Sequence, residues 1–158
     1  ALPICYHDQL TNLYNRHYLE KIAKTLFQEK IFPLGIIVID IDSLKEINDK
    51  LGHGKGDEIL VNAATIIKRN IPRGDYVFRM GGDEFVALVP CTDEHKLAAI
   101  KANIQADIAR SCNGDCHLSL SFGSFALRSV ETGLFQALKI ADDNMYADKQ
   151  KKRAKAHN

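Results

Sequence analysis

Two adjacent acidic residues, Asp83 and Glu84, directly follow the glycine pair Gly81 and Gly82. The segment lies between two runs, 76–79 and 85–89, that are rich in β-branched, aromatic and aliphatic residues. Because a glycine pair supplies the positive φ angles of a tight turn, the pattern predicts a β-hairpin. Two carboxylates side by side repel each other, and a hard divalent cation would relieve that repulsion. The alternative is that both side chains are solvated in an ordinary turn.

A second pair of carboxylates, Asp40 and Asp42, ends the continuous apolar run 35–39. The run has the length and branching of a buried central strand, and residues two apart on a strand share one face. Asp40 near Asp83 would make an oxygen-lined Mg²⁺ or Mn²⁺ site, of the kind that holds a nucleoside triphosphate and activates a hydroxyl.

The elements that position these carboxylates follow from hydrophobic periodicity. Helices are predicted over about 11–29, 43–49, 57–70, 93–110 and 132–152, and strands over 35–40, 76–79, 85–89 and 117–127. Asp8 or Thr11 is expected to cap the first helix, a glycine-rich turn is expected at 51–56, and Tyr146 is expected to be buried. The order strand, helix, strand, strand, helix, strand predicts an α/β (α+β), ferredoxin-like fold with a mostly antiparallel central sheet flanked by helices. In that fold the first strand and the hairpin can be neighbours.

Length and composition are those of one ordinary globular domain: 158 residues, 46% hydrophobic, 26% charged, formal net charge +1. Near-neutral charge gives no field that recruits nucleic acid or a membrane surface. We interpret residues 1–6 as a linker remnant and 7–158 as a single domain. The absence of a signal-peptide pattern favours the cytoplasm, either alone or as the cytoplasmic part of a larger, membrane-anchored protein.

Four cysteines lack C-x-x-C spacing, which favours free thiols in a reducing compartment. Cys112 and Cys116 are close enough in sequence to bridge or to bind a metal instead, which is the alternative.

The string from Arg79 to Phe85 reads R-M-G-G-D-E-F and resembles the signature of the GGDEF family, the diguanylate cyclases that join two GTP molecules into cyclic di-GMP. Further blocks stand in the family's order: Asp8-Gln9-Leu10-Thr11 with Asn15-Arg16, the segment 40–57, Ser119 to Gly123, and Ala141-Asp142 with Tyr146 and Lys149. The resemblance covers nearly the whole chain. It implies a central sheet wrapped by helices, similar to adenylyl cyclase and polymerase palm domains.

The resemblance also implies roles for the acidic residues. Asp40, the backbone carbonyl of Ile41, and Asp83 would hold the metal ions. Asp83 and Glu84 are the candidates that take the proton of the attacking hydroxyl.

Triphosphate binding is predicted at two helices. The helix that opens at Ser43, Leu44 and Lys45 would present unpaired N–H groups to an anion, with Lys45 adding charge. Lys149 and Arg153 lie one turn apart on the last helix and can reach the same phosphates, although a basic tail that only aids solubility has the same pattern. Lys152 and Ala154 stand beside Arg153, where the family usually has glycine and asparagine.

Base selection is predicted at Asn48 and Asp57. A carboxylate can accept both guanine N–H groups that adenine lacks, and a site built for these groups rejects the analogue. Asp57 as a plain helix N-cap is the alternative, and both roles can coexist. His53 is expected to order this loop or to touch the nucleotide. Some relatives that make mixed purine products have serine at the aspartate position, so Asp57 favours the all-guanine product.

One regulatory feature of the family is incomplete in this sequence. Many relatives have an inhibitory R-x-x-D site before the glycines; here Asp75 is in place but Pro72 occupies the arginine position. We therefore expect product inhibition through that site to be weakened or lost.

The partners implied by the resemblance are GTP, a second copy of the domain for catalysis, and an upstream sensor domain; no nucleic acid and no membrane contact are expected. Two other functions are compatible with parts of the sequence. One is a catalytically silent GTP-binding regulatory module. The other is an RNA-binding domain, which would need exposed aromatic side chains on the central strands, where Phe78 and Phe85 are the candidates.

Overall fold

The computed structural model describes residues 5–74, 76–112 and 117–157. The helices are α1 Arg16–Gln28, α2 Leu44–Leu51, α3 His53–Asn70, α4 Glu94–Ser111 and α5 Leu134–Ala156; the strands are β1 Leu34–Ile41, β2 Val77–Gly81, β3 Glu84–Val89 and β4 Leu120–Leu127. A short 3₁₀ turn, Pro72–Gly74, follows α3. The strands form one sheet in the order β2-β3-β1-β4 with antiparallel neighbours, so the predicted fold class is confirmed.

The central strand β1 is buried on both faces. Ile37 and Ile39 pack into a core with α2, α3 and α4, whereas Ile36 and Val38 pack into a second core with α1 and α5. Side chains alternate along a strand, so one apolar run supplies both cores. Each fully buried side chain of this kind stabilises the fold by about 1.5–3 kcal/mol.

The first helix begins later than expected, and its cap is a different residue. The side chain of Asn15 accepts a hydrogen bond from the Tyr18 N–H at 3.2 Å, which makes Asn15 the N-cap of α1. Asp8 accepts bonds from Thr11 and from the Arg79 guanidinium instead. The prediction that Asp8 or Thr11 caps this helix is wrong, because the carboxylate is bound to the hairpin.

Helix α3 begins at His53, so the predicted glycine-rich turn over 51–56 is also wrong. Gly52, at φ 86°, is sufficient to reverse the chain between α2 and α3. Gly56 lies inside the helix, buried against Asn48. Asp57 is consequently an exposed residue within α3 and not its N-cap.

The burial predicted for α5 is wrong at Tyr146, whose exposed fraction is 59%. Ala137, Ala141 and Met145, four residues apart, are buried against the sheet. Tyr146 follows Met145 and is rotated by about 100° around the helix axis, which turns it away from the core.

Cys5 and Cys91 are free thiols, whereas Cys112 is disulfide-bonded, so the prediction of a free thiol is wrong there. Cys112 follows the last residue of α4, where the chain has already left the helix. Cys116 and Asp75 lie outside the described residues.

Phe78 and Phe85, the aromatic side chains that RNA binding would require on the sheet surface, have an exposed fraction of 0%. Buried rings cannot stack on bases, which counts against that alternative. In the described ranges no helix is both long enough and apolar enough to cross a membrane.

Candidate functional site

The pairing of β1 with β3 brings the two acidic segments together. Asp40 lies directly opposite Glu84 in the antiparallel register, and the N–H of Ile41 donates to the carbonyl of Asp83 at 3.0 Å. Gly81 at φ 136° and Gly82 at φ 53° make the turn that places Asp83 there. The predicted adjacency of the first strand and the hairpin is confirmed.

Asp40 is held in a largely enclosed position by α5. Its Oδ2 accepts a hydrogen bond from Lys149 Nζ at 2.9 Å, whereas its Oδ1 is buried and has no hydrogen-bond partner. Burial raises the pKa of Asp40 to about 6; the bond from Lys149 opposes the rise and the neighbouring Asp83 carboxyl adds to it. The site therefore favours a compensating positive charge beside Asp40.

Glu84, the second residue of the acidic pair, is half-buried on β3. Burial raises its pKa, and the charges of Asp142 and Asp83 raise it further while Arg16 opposes them. Sequence reasoning assigned no role to Asp142 or Arg16. Both residues stand in the sequence blocks that carry the family resemblance, Asn15-Arg16 and Ala141-Asp142, and that position was the only indication of a role.

The hairpin turn is tied to the N-terminal loop through Arg79. Its guanidinium donates to the carbonyl of Gly82 at 2.9 Å and to Asp8 at 3.1 Å. Both charged side chains are mostly buried. Tyr14 adds backbone bonds to Val77 and Arg79 on β2. The loop before α1 is thus a support for the turn that carries Asp83.

Asp42 lies just beyond the end of β1 and is fully bonded. Its two carboxylate oxygens accept from Ser119 Oγ at 2.7 Å and Ser121 Oγ at 2.6 Å, and Lys152 adds a contact at 3.3 Å. Burial opposes ionisation, but these three donors together hold the pKa of Asp42 below its usual range. Asp42 is therefore an ionised anchor between β4 and α5.

A cavity of about 360 Å³ lies between the start of α2, the start of β4 and the end of α5. It is lined by Asp42, Ser43, Ile47, His117, Ser119, Lys149, Lys152, Arg153 and Ala156. Three of the residues predicted to bind phosphate, Ser43, Lys149 and Arg153, are in this wall. The cations in the wall outnumber the single carboxylate, which suits an anionic ligand.

The other predicted ligands lie on α2 and α3. Leu44 is buried in the core, so only its backbone can face a ligand, and Lys45 is exposed. Asn48 Oδ1 is buried without a hydrogen-bond partner. His53 and Asp57 are exposed on the first two turns of α3.

The donor set at the sheet edge suits a hard cation. Among the described residues no group of three or more His, Cys, Asp or Glu side chains forms a metal cluster. What the edge does offer is two carboxylates, one with an unpartnered buried oxygen, beside a strand backbone. Oxygen ligands of this kind, completed by water or phosphate oxygens, are those that Mg²⁺ prefers.

Comparison with known proteins gives a consistent result. The family model described as "Diguanylate cyclase, GGDEF domain" matches residues 5–155. Diguanylate cyclase DosC of Escherichia coli (strain K12) is 35% identical over 92% of this chain and 33% of its own length. Diguanylate cyclase TpbB of Pseudomonas aeruginosa is 37% identical over 94% of this chain and 36% of its own length.

A solved structure shows the same similarity. The GGDEF domain of DgcB from Caulobacter crescentus, in complex with c-di-GMP, superimposes with a TM-score of 0.81 at 27% identity, covering 95% of this chain and 93% of that one. The chain spans only about a third of the length of the curated relatives it matches.

Proposed function

Because this chain belongs to the GGDEF domain family of diguanylate cyclases, we propose that it condenses two GTP molecules into cyclic di-GMP. In this reaction the 3′-hydroxyl of each GTP attacks the α-phosphate of the other. Two phosphodiester bonds form, two pyrophosphates leave, and two hydroxyl protons are released. The observation that carries the proposal is the placement of Asp40 opposite Glu84, with the Asp83 carbonyl bonded to the Ile41 N–H.

Asp40, the carbonyl of Ile41, and Asp83 would hold the Mg²⁺ or Mn²⁺. The support is the unpartnered Oδ1 of Asp40 and the charge repulsion between the two carboxylates. When bound there, the cation would neutralise charge on the phosphate oxygens and favour ionisation of the hydroxyl.

We assign the hydroxyl proton to Glu84. Its pKa is raised by burial and by Asp142, so its carboxylate is a stronger base than an exposed glutamate. Asp83 is the second candidate, but its carboxylate is assigned to the cation.

We assign phosphate binding to the wall of the 360 Å³ cavity. Lys149 and Arg153 on α5 would supply charged side chains. Ser43 and the backbone N–H groups of Leu44 and Lys45, at the start of α2, would supply further donors. Asn48 and Asp57 would accept the N–H groups of guanine. The unpartnered Oδ1 of Asn48 supports this assignment, because a buried oxygen without a donor is costly unless a ligand supplies one. His53 adjoins this pair at the start of α3.

Each domain would hold one GTP, so turnover needs two domains that face each other in a symmetric, at least transient, homodimer. The curated relatives are about three times as long as this chain. We therefore propose that an upstream sensor domain controls the encounter of the two copies.

The direct test is product analysis after incubation with GTP and Mg²⁺ at several protein concentrations. Cyclic di-GMP is expected, with a rate per domain that rises with concentration, since a transient dimer forms more often at higher concentration. Asp83→Ala is expected to yield none, while it still binds GTP through the α5 cations.

Two results would contradict the proposal. Measurable GTP binding without product at any concentration would indicate the silent regulatory module instead. No GTP binding at all would exclude both functions.

A further inference from the structure

Lys152 is a cation in the wall of the 360 Å³ cavity to which phosphate binding is assigned. Its Nζ donates to Asp42 Oδ2 at 3.3 Å and to the carbonyl of Leu120, and its side chain is 37% exposed. The cavity wall therefore holds a third cationic side chain besides those of Lys149 and Arg153.

Asp42 does not depend on Lys152 for its hydrogen bonds. The two serine hydroxyls already satisfy one oxygen each, at 2.6 and 2.7 Å, and the lysine contact is the longest of the three. The Leu120 carbonyl faces away from β1, because the Ile41 N–H opposite it bonds to Asp83 and the adjacent strand bond runs from the Asp42 N–H to the Ser119 carbonyl. Its bond to Lys152 therefore lies on the outer edge of β4. Lys152 can leave Asp42 without exposing an unbonded carboxylate, and a polyphosphate must offset only the loss of the Leu120 bond.

The two neighbouring cationic side chains, Lys149 and Arg153, differ in their bonding and exposure. Lys149 is bonded to Asp40 at 2.9 Å and is mostly buried, whereas Arg153 is exposed one turn away on the same helix. Lys152 lies between them in sequence and opens onto the same cavity. A polyphosphate in that cavity offers anionic oxygens, which are stronger acceptors than the Leu120 carbonyl.

We propose that Lys152 is a third phosphate-binding residue of this domain, which turns from Asp42 and Leu120 to the polyphosphate of the nucleotide when the cavity is filled. The inference rests on the proposed function, in that the cavity takes the triphosphate of GTP. It adds a cation that distinguishes triphosphate from monophosphate nucleotides.

The test measures binding by isothermal titration calorimetry, with an α,β-methylene analogue of GTP, which cannot be turned over, and with GMP. Lys152→Met keeps the length of the side chain and removes its charge. We expect about tenfold weaker binding of the analogue, the effect of losing one charged contact. GMP, which lacks the β- and γ-phosphates, is expected to bind equally well to both proteins. Lys152→Arg should restore the affinity for the analogue.

Lys151→Met is the matched control, because Lys151 is the adjacent exposed lysine on α5. It should bind both nucleotides as the unchanged chain does. Equal loss in Lys151→Met and Lys152→Met would indicate a general charge effect and overturn the assignment.

A double variant separates direct contact from neutralisation of Asp42. If Lys152 only cancels the charge of Asp42, Asp42→Asn with Lys152→Met should recover full affinity for the analogue, and that recovery would overturn the inference. Continued weak binding supports direct contact. Unchanged affinity in Lys152→Met would refute this inference alone, whereas failure of the unchanged chain to bind the analogue would refute the proposed function as well.

Discussion

Two buried side-chain oxygens in the described part of the chain have no hydrogen-bond partner, Asp40 Oδ1 and Asn48 Oδ1. An unsatisfied buried acceptor typically costs about 1–3 kcal/mol. Both oxygens belong to residues that the sequence had nominated for ligand binding. The sequence could nominate them from motif and strand position, but the Lys149 bond to Asp40 joins residues 109 positions apart and required the fold.

Asp40→Asn is expected to lower the activity of the protein while it raises the stability of the fold. Cyclase activity should fall by at least about a hundredfold, because a carboxylate assigned to the cation is lost. The thermal midpoint of the protein in EDTA at pH 7 should rise, because a buried charge beside Asp83 is removed. Differential scanning fluorimetry and product analysis measure the two effects. A lower midpoint in EDTA would contradict the argument.

The same carboxyl predicts a pH dependence. Its folded pKa, about 6, lies above its ordinary value of 3.8, so the folded state binds the proton more tightly than the unfolded state. The contribution of Asp40 to the free energy of unfolding in EDTA should therefore fall as the pH rises from about 4 to about 6, by about 1–2 kcal/mol after solvent screening. In Asp40→Asn this fall should be absent. Urea unfolding of the unchanged chain and of Asp40→Asn at several pH values tests this prediction. Identical dependence of the two free energies of unfolding on pH would contradict it.

Asp57→Ala is expected to relax base selection without affecting the fold. Asp57 is exposed in the nucleotide-free protein, so the thermal midpoint should remain within about 1 °C. The ratio of GTP to ATP affinity should fall by at least about tenfold, since the carboxylate that we propose accepts two guanine N–H groups is lost. Competitive titration of both nucleotides measures the ratio, and an unchanged ratio would remove Asp57 from the site.

At the scale of elements, the position of α5 decides where Lys149, Lys152 and Arg153 lie. The helix packs directly on β4 at Gly123, where a Cβ atom would lie 2.0 Å from both the Ala141 carbonyl and the Met145 nitrogen. Sequence periodicity predicted both elements but not this backbone contact, because a glycine in a strand does not reveal what approaches it. Similarly, α3 begins at His53 because Gly52 alone makes the turn, although Gly54 and Gly56 disfavour helix.

Gly123→Ala should therefore displace α5 from the sheet. We expect a loss of about 2–3 kcal/mol from overpacking, which lowers the thermal midpoint by about 4–10 °C. GTP binding should weaken as well, because Lys149, Lys152 and Arg153, to which we assign phosphate binding, move with the helix. Gly54→Ala is the control: its Cβ would meet no atom within 4 Å, and its helix propensity should improve stability slightly. Equal midpoints in the two variants would contradict close packing at Gly123.

Helices α3 and α4 are joined by a buried carboxylate, Asp107, whose exposed fraction is 6%. It accepts two bonds from Arg69 at 2.6 Å, one from Asn70 at 2.7 Å and one from Ser111 at 3.3 Å. Arg69 first, then Asn70, hold the pKa of Asp107 far below its usual range. Nothing in the sequence pattern pairs Arg69 with a residue 38 positions away.

Because the pKa of Asp107 is lower in the folded state than in the unfolded state, its ionised carboxylate stabilises the fold above about pH 4. This stabilisation is lost as the pH falls below that value. Asp107→Ala should lower the thermal midpoint at pH 7 clearly more than Glu94→Ala, which removes the exposed ion pair with Arg128. The gap between Asp107→Ala and the unchanged chain should narrow as the pH falls below 4. A constant gap across that range would show that packing, and not charge, accounts for the effect.

The order of the elements was predictable because most strands and helices have an apolar run or an apolar face, and glycine or proline marks several of the boundaries between them. The ferredoxin-like order then placed Asp40 beside the hairpin, as the register confirms. The two boundaries that failed have different causes. At α1 the failure depends on a contact between distant residues, Asp8 with Arg79, about which local patterns carry no information. At α3 the cause is local, because Gly52 alone reverses the chain and Gly56 packs on Asn48 within the helix.

A symmetric two-domain reaction makes a prediction that a single-domain enzyme does not. In the proposed mechanism each phosphodiester bond requires one intact acidic edge, so a dimer of one unchanged domain and one Asp83→Ala domain would form one bond but would not close the ring. If copies exchange at random, an equal mixture at constant total concentration should make cyclic di-GMP at about a quarter of the unmixed rate. The singly joined linear dinucleotide should accumulate beside it, and both products can be quantified by chromatography.

A rate of about half, with no linear product, would mean that each domain completes the reaction alone. A third copy type sharpens the test. Lys149→Ala disables phosphate binding but leaves Asp83 and Glu84 in place, so a mixture of Lys149→Ala with Asp83→Ala should make neither linear nor cyclic product, because each bond needs both features in one domain. Linear dinucleotide from that mixture would show that the acidic edge of one copy acts on the nucleotide bound by the α5 cations of the other, since that arrangement leaves one complete site in each mixed dimer.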